Sequence, residues 1–282
     1  MNEEIRNLQK KQLKMLKIFI KICEENKLRY FLAGGSALGA VRHKGFIPWD
    51  DDIDVSMPRP DYNKFMEIAQ DKLPKHLFLQ NQYTEKDYNL TFAKIRDSKT
   101  TFIEKRSADL NINKGVFIDI FPIDGIGNDL ESASKTFYQF RKIREKFRFK
   151  LGMHKKDGLR NKVRFVYYTV LTTFDSFAKG LKTANDYAIA IDEFCNRINY
   201  KDSSYVIIYE GGAEEREIMK KTVYGTGSKI KFEKTTVSVP KKVDTYLKAL
   251  YNNYMELPPV EKRVAGHYQI LDLEKSYKEY EK

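Results

Sequence analysis

Four carboxylates, Asp50, Asp51, Asp52 and Asp54, fall within five residues, and Gly34-Gly35-Ser36 precedes them by a short interval. Carboxylates this close repel one another, so the local fold must either solvate them fully or give them a cation to share. Ile53 and Val55 alternate with Asp52 and Asp54. On a strand, that alternation turns both carboxylates to one face and the apolar pair to the other, a hard-oxygen site suited to Mg2+ or Mn2+. Glycines upstream let backbone N–H groups approach a phosphate closely, and the Ser36 hydroxyl is small enough to reach it.

These groups need elements to position them. Residues 4–26 place Leu8, Gln12, Met15, Leu16, Phe19, Ile20 and Cys23 on one helical stripe, a packing helix. LRYFLA, residues 28–33, reads as a short buried strand feeding Gly34-Gly35, with a helix beginning near Ser36 whose N-terminus presents free N–H groups. Between the glycines and the acids, Arg42 is placed to fork onto a phosphate, His43 supports the stretch without acting as a base, and Trp49 has a core role. Asp61 is expected to cap a helix that Pro74 closes. LTFAKIRD, residues 90–97, reads as a strand on which Lys94 could reach a site, unless Lys94 and Arg96 merely end a sheet edge.

GVFIDIFPIDG, from Gly115, is apolar on both faces except at Asp119. A lone carboxylate there needs a partner. Either a lysine or an arginine supplies it or, as the pattern favours, Asp119 completes a metal site with Asp52 and Asp54. Asp124, before Gly125, reads as a turn residue. Further on, residues 183–198 read as a helix, 204–212 and 230–239 as strands, and the segment from Pro240 to Tyr254 as a helix. A polar tail ends in a charged helix.

The chain has 282 residues, 13% of them aromatic, and a net charge of +12. It is long enough for a sizeable core, and its charge points to an anionic partner. Arg141 to Arg164 hold eleven Lys or Arg against Glu145 and Asp157, a local balance of +9, with Phe140, Phe147 and Phe149 interleaved and FVYYTVLTTF following. A basic aromatic helix beside an apolar stretch too short to span a bilayer suits the surface of an anionic membrane, with nucleic acid as the rival partner and a solvated insertion as the plain alternative. The N-terminus lacks the pattern of a secretion signal, and Cys23 and Cys195 form no metal-ligand spacing, so reduced core thiols in a cytoplasmic protein are expected.

GGSALGAVRHKGFIPWDDDIDVSMPRPDYNKF resembles the signature of the LicD phosphotransferases, which are similar to phosphorylcholine transferases of cell-surface glycans and to the fukutin group. KIRDSKTTFIE, GVFIDIFPIDG, FEKTTVSVPKKVDTYLKALYNNYMELPP, Arg263 and His267 continue it. Phe232-Glu233-Lys234 and Tyr251-Asn252-Asn253-Tyr254 depart from the family's usual Phe-Glu-Gly and Tyr-Gly-Asp-Tyr. The resemblance implies an α+β fold: a nucleotidyltransferase-like mixed β-sheet flanked by helices, in one domain. An N-terminal packing helix (1–27) would precede a metal- and phosphate-binding core (28–130), a basic helical insertion (131–200) and C-terminal strands and helices (201–282). It also implies Mg2+ or Mn2+ held by Asp52, Asp54 and Asp119, and donor phosphate held by Gly34, Gly35 and Ser36, with Arg42, His43, Lys94 and Arg96 around it. The reaction implied moves phosphorylcholine from CDP-choline, or another group from a CDP-alcohol, onto a sugar hydroxyl of a cell-surface glycan precursor, with CMP released and no specific nucleic acid bound; the basic segment from Arg141 to Arg164 suits an acceptor carried on a lipid. Transfer of a nucleotide from an NTP with pyrophosphate release, and a non-catalytic nucleic-acid-binding role for the basic helix, are the alternatives.

Overall fold

The computed structural model describes residues 2–153, 158–264 and 266–280; Lys155, Lys156 and Asp157 of the basic run lie outside them. The N-terminal helix α1 (Glu3–Glu25) buries the expected stripe, with Asn2 accepting the Glu4 N–H as its cap. Two glutamines on that stripe carry the helix's structural information. Buried Gln9 donates to the carbonyls of Ile47 and Asp50, and buried Gln12 to those of Asp51 and Phe117. The helix thereby fixes the backbone of the acidic loop as well as packing on the sheet.

The first strands and helices follow as β1 (Phe31–Leu32), α2 (Gly34–Arg42), β2 (Asp54–Pro58), α3 (Arg59–Lys72), β3 (Leu77–Gln80), β4 (Ala93–Asp97), β5 (Thr101–Glu104) and β6 (Val116–Gly127). The main sheet runs β1-β2-β6-β4-β3, with β2 and β6 parallel and the other pairs antiparallel. β6 is its central strand, and α1, α3 and α4 pack against it. Phe19 of α1 meets Phe65 of α3 at 5.0 Å between ring centroids; both are fully buried, each contributing about 1.5–3 kcal/mol.

Helices α4 (Leu130–Lys150), α5 (Leu159–Lys179) and α6 (Ala184–Asn196) form a layer with its own core of Phe137, Phe140, Tyr187 and Ile191. Two short strands, β7 (Tyr205–Ile207) and β8 (Met219–Lys220), extend the sheet from the far half of β6, followed by α7 (Lys221–Tyr224). The chain closes with the hairpin β9 (Ser228–Phe232) and β10 (Thr235–Val239), then α8 (Val243–Tyr251) and β11 (Tyr268–Asp272).

The second helix begins at Gly34, near Ser36 as expected, after Ala33 as its N-cap, and Gly34 takes φ +49° at the turn from strand to helix. Several local expectations are corrected. The third helix starts at Arg59, with Pro60 inside its first turn, so Asp61 is a first-turn residue paired with Arg29 and not the cap. β4 is flanked by β3 and β6 and is no edge. Asp124 lies within β6 and not in a turn: Arg59 reaches it at 2.5 and 3.0 Å. Residues 230–239 form two strands, because Glu233 turns at φ +53°. The polar tail becomes strand β11, paired with β5, and a final 3-10 turn, Tyr277–Tyr280.

Candidate active site

Sheet register sets the site. Asp54 lies opposite Asp119 across the parallel pair β2–β6, and Asp119 lies opposite Lys94 across β6–β4. Residues paired across a ladder share a face, so the three side chains form a row. Lys94 Nζ donates to Asp119 Oδ1 at 2.6 Å and is fully buried over the Phe117 ring. One lysine faces more than one acid. Burial, then the charge of Asp119 and Asp51, pushes Asp52 up to about 6. Asp54 rises well above the usual carboxylate range through burial and the charges of Asp52 and Asp119, and Asp50 does so through burial and the charges of Asp52 and Asp51. Ionising this row in full calls for a further cation.

The glycines close the row from above. A Cβ at Gly34 would lie 3.2 Å from Asp54 Oδ2 and 3.6 Å from the Tyr251 hydroxyl, and one at Gly35 would lie 3.1 Å from Asp50 Oδ2. Ser36 Oγ accepts the Asp54 N–H at 2.9 Å, tying the start of α2 to the acidic strand. Gly34 N–H donates to the Tyr246 hydroxyl. The first intrahelical bond runs from Ala37 N–H to the Ala33 carbonyl, so the N–H groups of Gly35 and Ser36 precede the helix's own hydrogen bonding.

Of the other residues singled out by sequence, Arg42 donates to the carbonyls of Tyr254 and Glu256 and contacts His43. Burial lowers its pKa, helped by the nearby charge of Arg263, which lies over Trp49. Neither Arg42 nor Arg263 has a carboxylate partner among the described residues. Arg96 is not brought into the cleft: its buried guanidinium is held by Gln80 Oε1 and the Gly115 carbonyl. Trp49 is partly buried against the main core, with His43 packed at its edge.

A pair invisible to sequence spacing is Asp51 with His267. Asp51 is 1% exposed; its Oδ1 meets His267 Nδ1 at 2.5 Å, and its Oδ2 accepts the N–H groups of His267 and Gly266. The hydrogen bond raises His267 to about 9. Asp51, Asp52 and His267 have ligand atoms close enough to hold one ion. Both Asp51 oxygens are engaged by the C-terminal segment, so Asp51 anchors that segment to the acidic loop. Asp54 and Asp119 face each other across the β2–β6 ladder, and the acids gathered around them carry more negative charge than Lys94 balances.

Residues 27–164 match the family model for the LicD/FKTN/FKRP nucleotidyltransferase domain. The chain is 30% identical over 263 residues to the lipopolysaccharide cholinephosphotransferase LicD of Haemophilus influenzae, covering 91% of this chain and 93% of that protein. A shorter match, 47% identical over 38 residues, is to the ribitol 5-phosphate transferase FKRP of human and mouse, covering 14% of this chain and 8% of theirs.

Proposed function

The chain belongs to the LicD family, and from that premise we propose that it is a metal-dependent phosphotransferase that moves phosphorylcholine from CDP-choline to a sugar hydroxyl of a cell-surface glycan precursor. The observation that carries this reading is the Asp54–Asp119 pair of adjacent strands, with Asp54 lying against Gly34 at the start of α2. Hard-cation ligands and an anion-binding helix end there share one cleft. The similarity to a cholinephosphotransferase over nearly the whole of both chains supports choline over ribitol.

Asp52, Asp54 and Asp119 would hold Mg2+ or Mn2+, which would supply charge neutralisation of the donor pyrophosphate. The N–H groups of Gly35 and Ser36 receive a donor phosphate, and Arg42 with Arg263 offers an unneutralised pair of guanidinium groups for a second anionic group. Lys94 holds Asp119 by one oxygen, leaving Oδ2 to accept the proton of the attacking hydroxyl. The hydroxyl oxygen bonds to the phosphorus that carries choline, the bond from that phosphorus to the CMP oxygen breaks, and CMP leaves. The test is CMP formation from CDP-choline with Mg2+ and a glycan acceptor. Use of NTPs alone, with pyrophosphate as product, would replace this reading with nucleotidyl transfer.

Helix α5 supports a place at an anionic membrane. Leu159, Val163, Val166, Tyr167, Val170, Phe174 and Phe177 recur at helical spacing, and each is 57–96% exposed. Arg160, Lys162 and Arg164 flank the stripe, and Arg164 is paired with Glu145 of α4. No helix among the described residues is long and apolar enough to cross a membrane. An apolar stripe edged with cations matches an anionic bilayer surface, where the stripe enters the acyl boundary and the cations meet the headgroups. A lipid-borne acceptor at the cytoplasmic face fits that placement, as do the free, buried Cys23 and Cys195. Binding to anionic vesicles should exceed binding to neutral ones and fall with salt and with Val166→Glu/Val170→Glu. Concentration-dependent dimerisation abolished by the same variant would assign the stripe to a second copy instead.

A further inference from the structure

A cavity of about 310 Å³ opens beside the acidic row, lined by Gly34, Asp54, Phe121, Glu210, Glu217 and Tyr251 among others. Its chemistry is unusual in one respect. Glu217 is 3% exposed, and its Oε2 has no hydrogen-bond partner. Gly211 packs so tightly on its carboxylate that a Cβ there would lie 2.3 Å from Oε1. Burial pushes Glu217 up to about 7, opposed by an N–H from Ala213 and by the charge of Arg216. Arg216 also lines the cavity, but its guanidinium donates to the Leu250 carbonyl at 2.7 Å, and its charge offsets only part of the burial that raises Glu217. Around Glu217 the charged neighbours are acidic or already engaged. Glu210 accepts from Thr91 and pairs with Arg144, and Asp54 belongs to the row.

An orphaned buried carboxylate in a cavity that Phe121 and Tyr251 also line is suited to an organic cation that brings no hydrogen-bond donors of its own. We propose that this cavity is the donor head-group subsite and selects a quaternary ammonium, with Glu217 as the counter-charge and Tyr251 and Phe121 as aromatic walls. The inference rests on the CDP-alcohol reading above and says where its selectivity resides. Geometry links the two: the Tyr251 hydroxyl and Asp54 Oδ2 both lie against Gly34, so a head group in the cavity is joined directly to a phosphate at the acidic row. A polyol would need several donors and acceptors. The cavity's hydroxyl at Tyr246 already accepts the Gly34 N–H, and Glu210 accepts from Thr91 by one oxygen and faces Arg144 with the other.

The test compares phosphocholine with 3,3-dimethylbutyl phosphate, its neutral carbon isostere, by calorimetry on the full chain with Mg2+ present. Phosphocholine should bind about tenfold more tightly or better, and Glu217→Gln should remove most of that preference. Tyr251→Leu, a milder change at a different wall, should reduce it about threefold. Equal binding of the two ligands, absence of binding by both, or a preference untouched by both variants overturns the assignment. Turnover of CDP-choline against CDP-glycerol and NTPs is read separately. A wild type active only on NTPs overturns the phosphotransferase reading, while the isostere preference still decides the pocket's charge selectivity.

Discussion

Strand β6 carries two buried carboxylates, Asp119 and Asp124, and their surroundings differ in kind. Asp124 is matched: Arg59 closes on both its oxygens and uses its remaining nitrogen to hold Asp192 at 2.7 Å. Asp119 has a single lysine partner, and across the parallel pair it faces Asp54, with Asp52 and Asp50 close by. The difference is one of charge balance. A carboxylate gripped at both oxygens has no valence left for a ligand, and its worth is structural. A row with more acids than cations is destabilising until something positive arrives, and that is the signature of a binding site.

The largest expected effect breaks the unbalanced end. Asp54→Asn should lower CMP formation from CDP-choline by about a thousandfold or more, while the melting temperature measured without metal stays level or rises because a repulsive charge is gone. Mg2+ should raise the wild-type melting temperature and leave that of Asp54→Asn almost unmoved.

At the balanced end the opposite pattern is expected. Arg59→Met strands Asp124 in the core and should cost about 3–5 kcal/mol in urea unfolding, with kcat of the folded fraction little changed. Arg59→Met/Asp124→Leu should recover much of the loss. If Arg59→Met removed activity while sparing stability, the contrast between the two ends of β6 would be wrong.

A third carboxylate sharpens the comparison with a smaller effect. Asp175 of α5 accepts from Lys146 at 2.7 Å and from the Tyr187 hydroxyl at 3.1 Å. Burial works against its charge, but Lys146 and Tyr187 outweigh it and hold Asp175 below its usual value. Its contribution is therefore complete above the unfolded-state pKa of about 3.9 and is lost as pH falls through the lower folded-state value. Asp175→Asn should cost about 1–2 kcal/mol at pH 7, and the gap between variant and wild type in urea midpoint should close as pH drops below about 4.

Local patterns in the sequence carry the parts of this site that depend on one strand at a time. Period-two alternation predicts Asp52 and Asp54 on one strand face, whereas β2 begins only at Asp54 and Asp52 lies in the loop before it; the apolar run around Asp119 makes that residue conspicuous. Strand pairing is not local, so the Lys94–Asp119–Asp54 row follows only from register. Asp124 illustrates the resulting error: Asp-Gly suggests a turn, but Arg59, 65 positions earlier, makes it a buried strand residue. His267 reaches Asp51 across 216 positions, and no spacing rule connects a polar tail to an acidic loop at that range. The cavity holding Glu217 and Tyr251 has the same character, since its walls come from α2, β2, β6, α8 and the segment after β7. The apolar run in α5 was legible as composition, whereas its outward orientation required the helix and its packing.

The most direct test of the central claim, that the surplus acids of the β2–β6 row bind metal for phosphotransfer, is CMP release from CDP-choline by wild type and Asp54→Asn, each with and without Mg2+. Release that needs the metal and vanishes in Asp54→Asn is the predicted result. Release that persists without metal, or at near wild-type rate in Asp54→Asn, would contradict it.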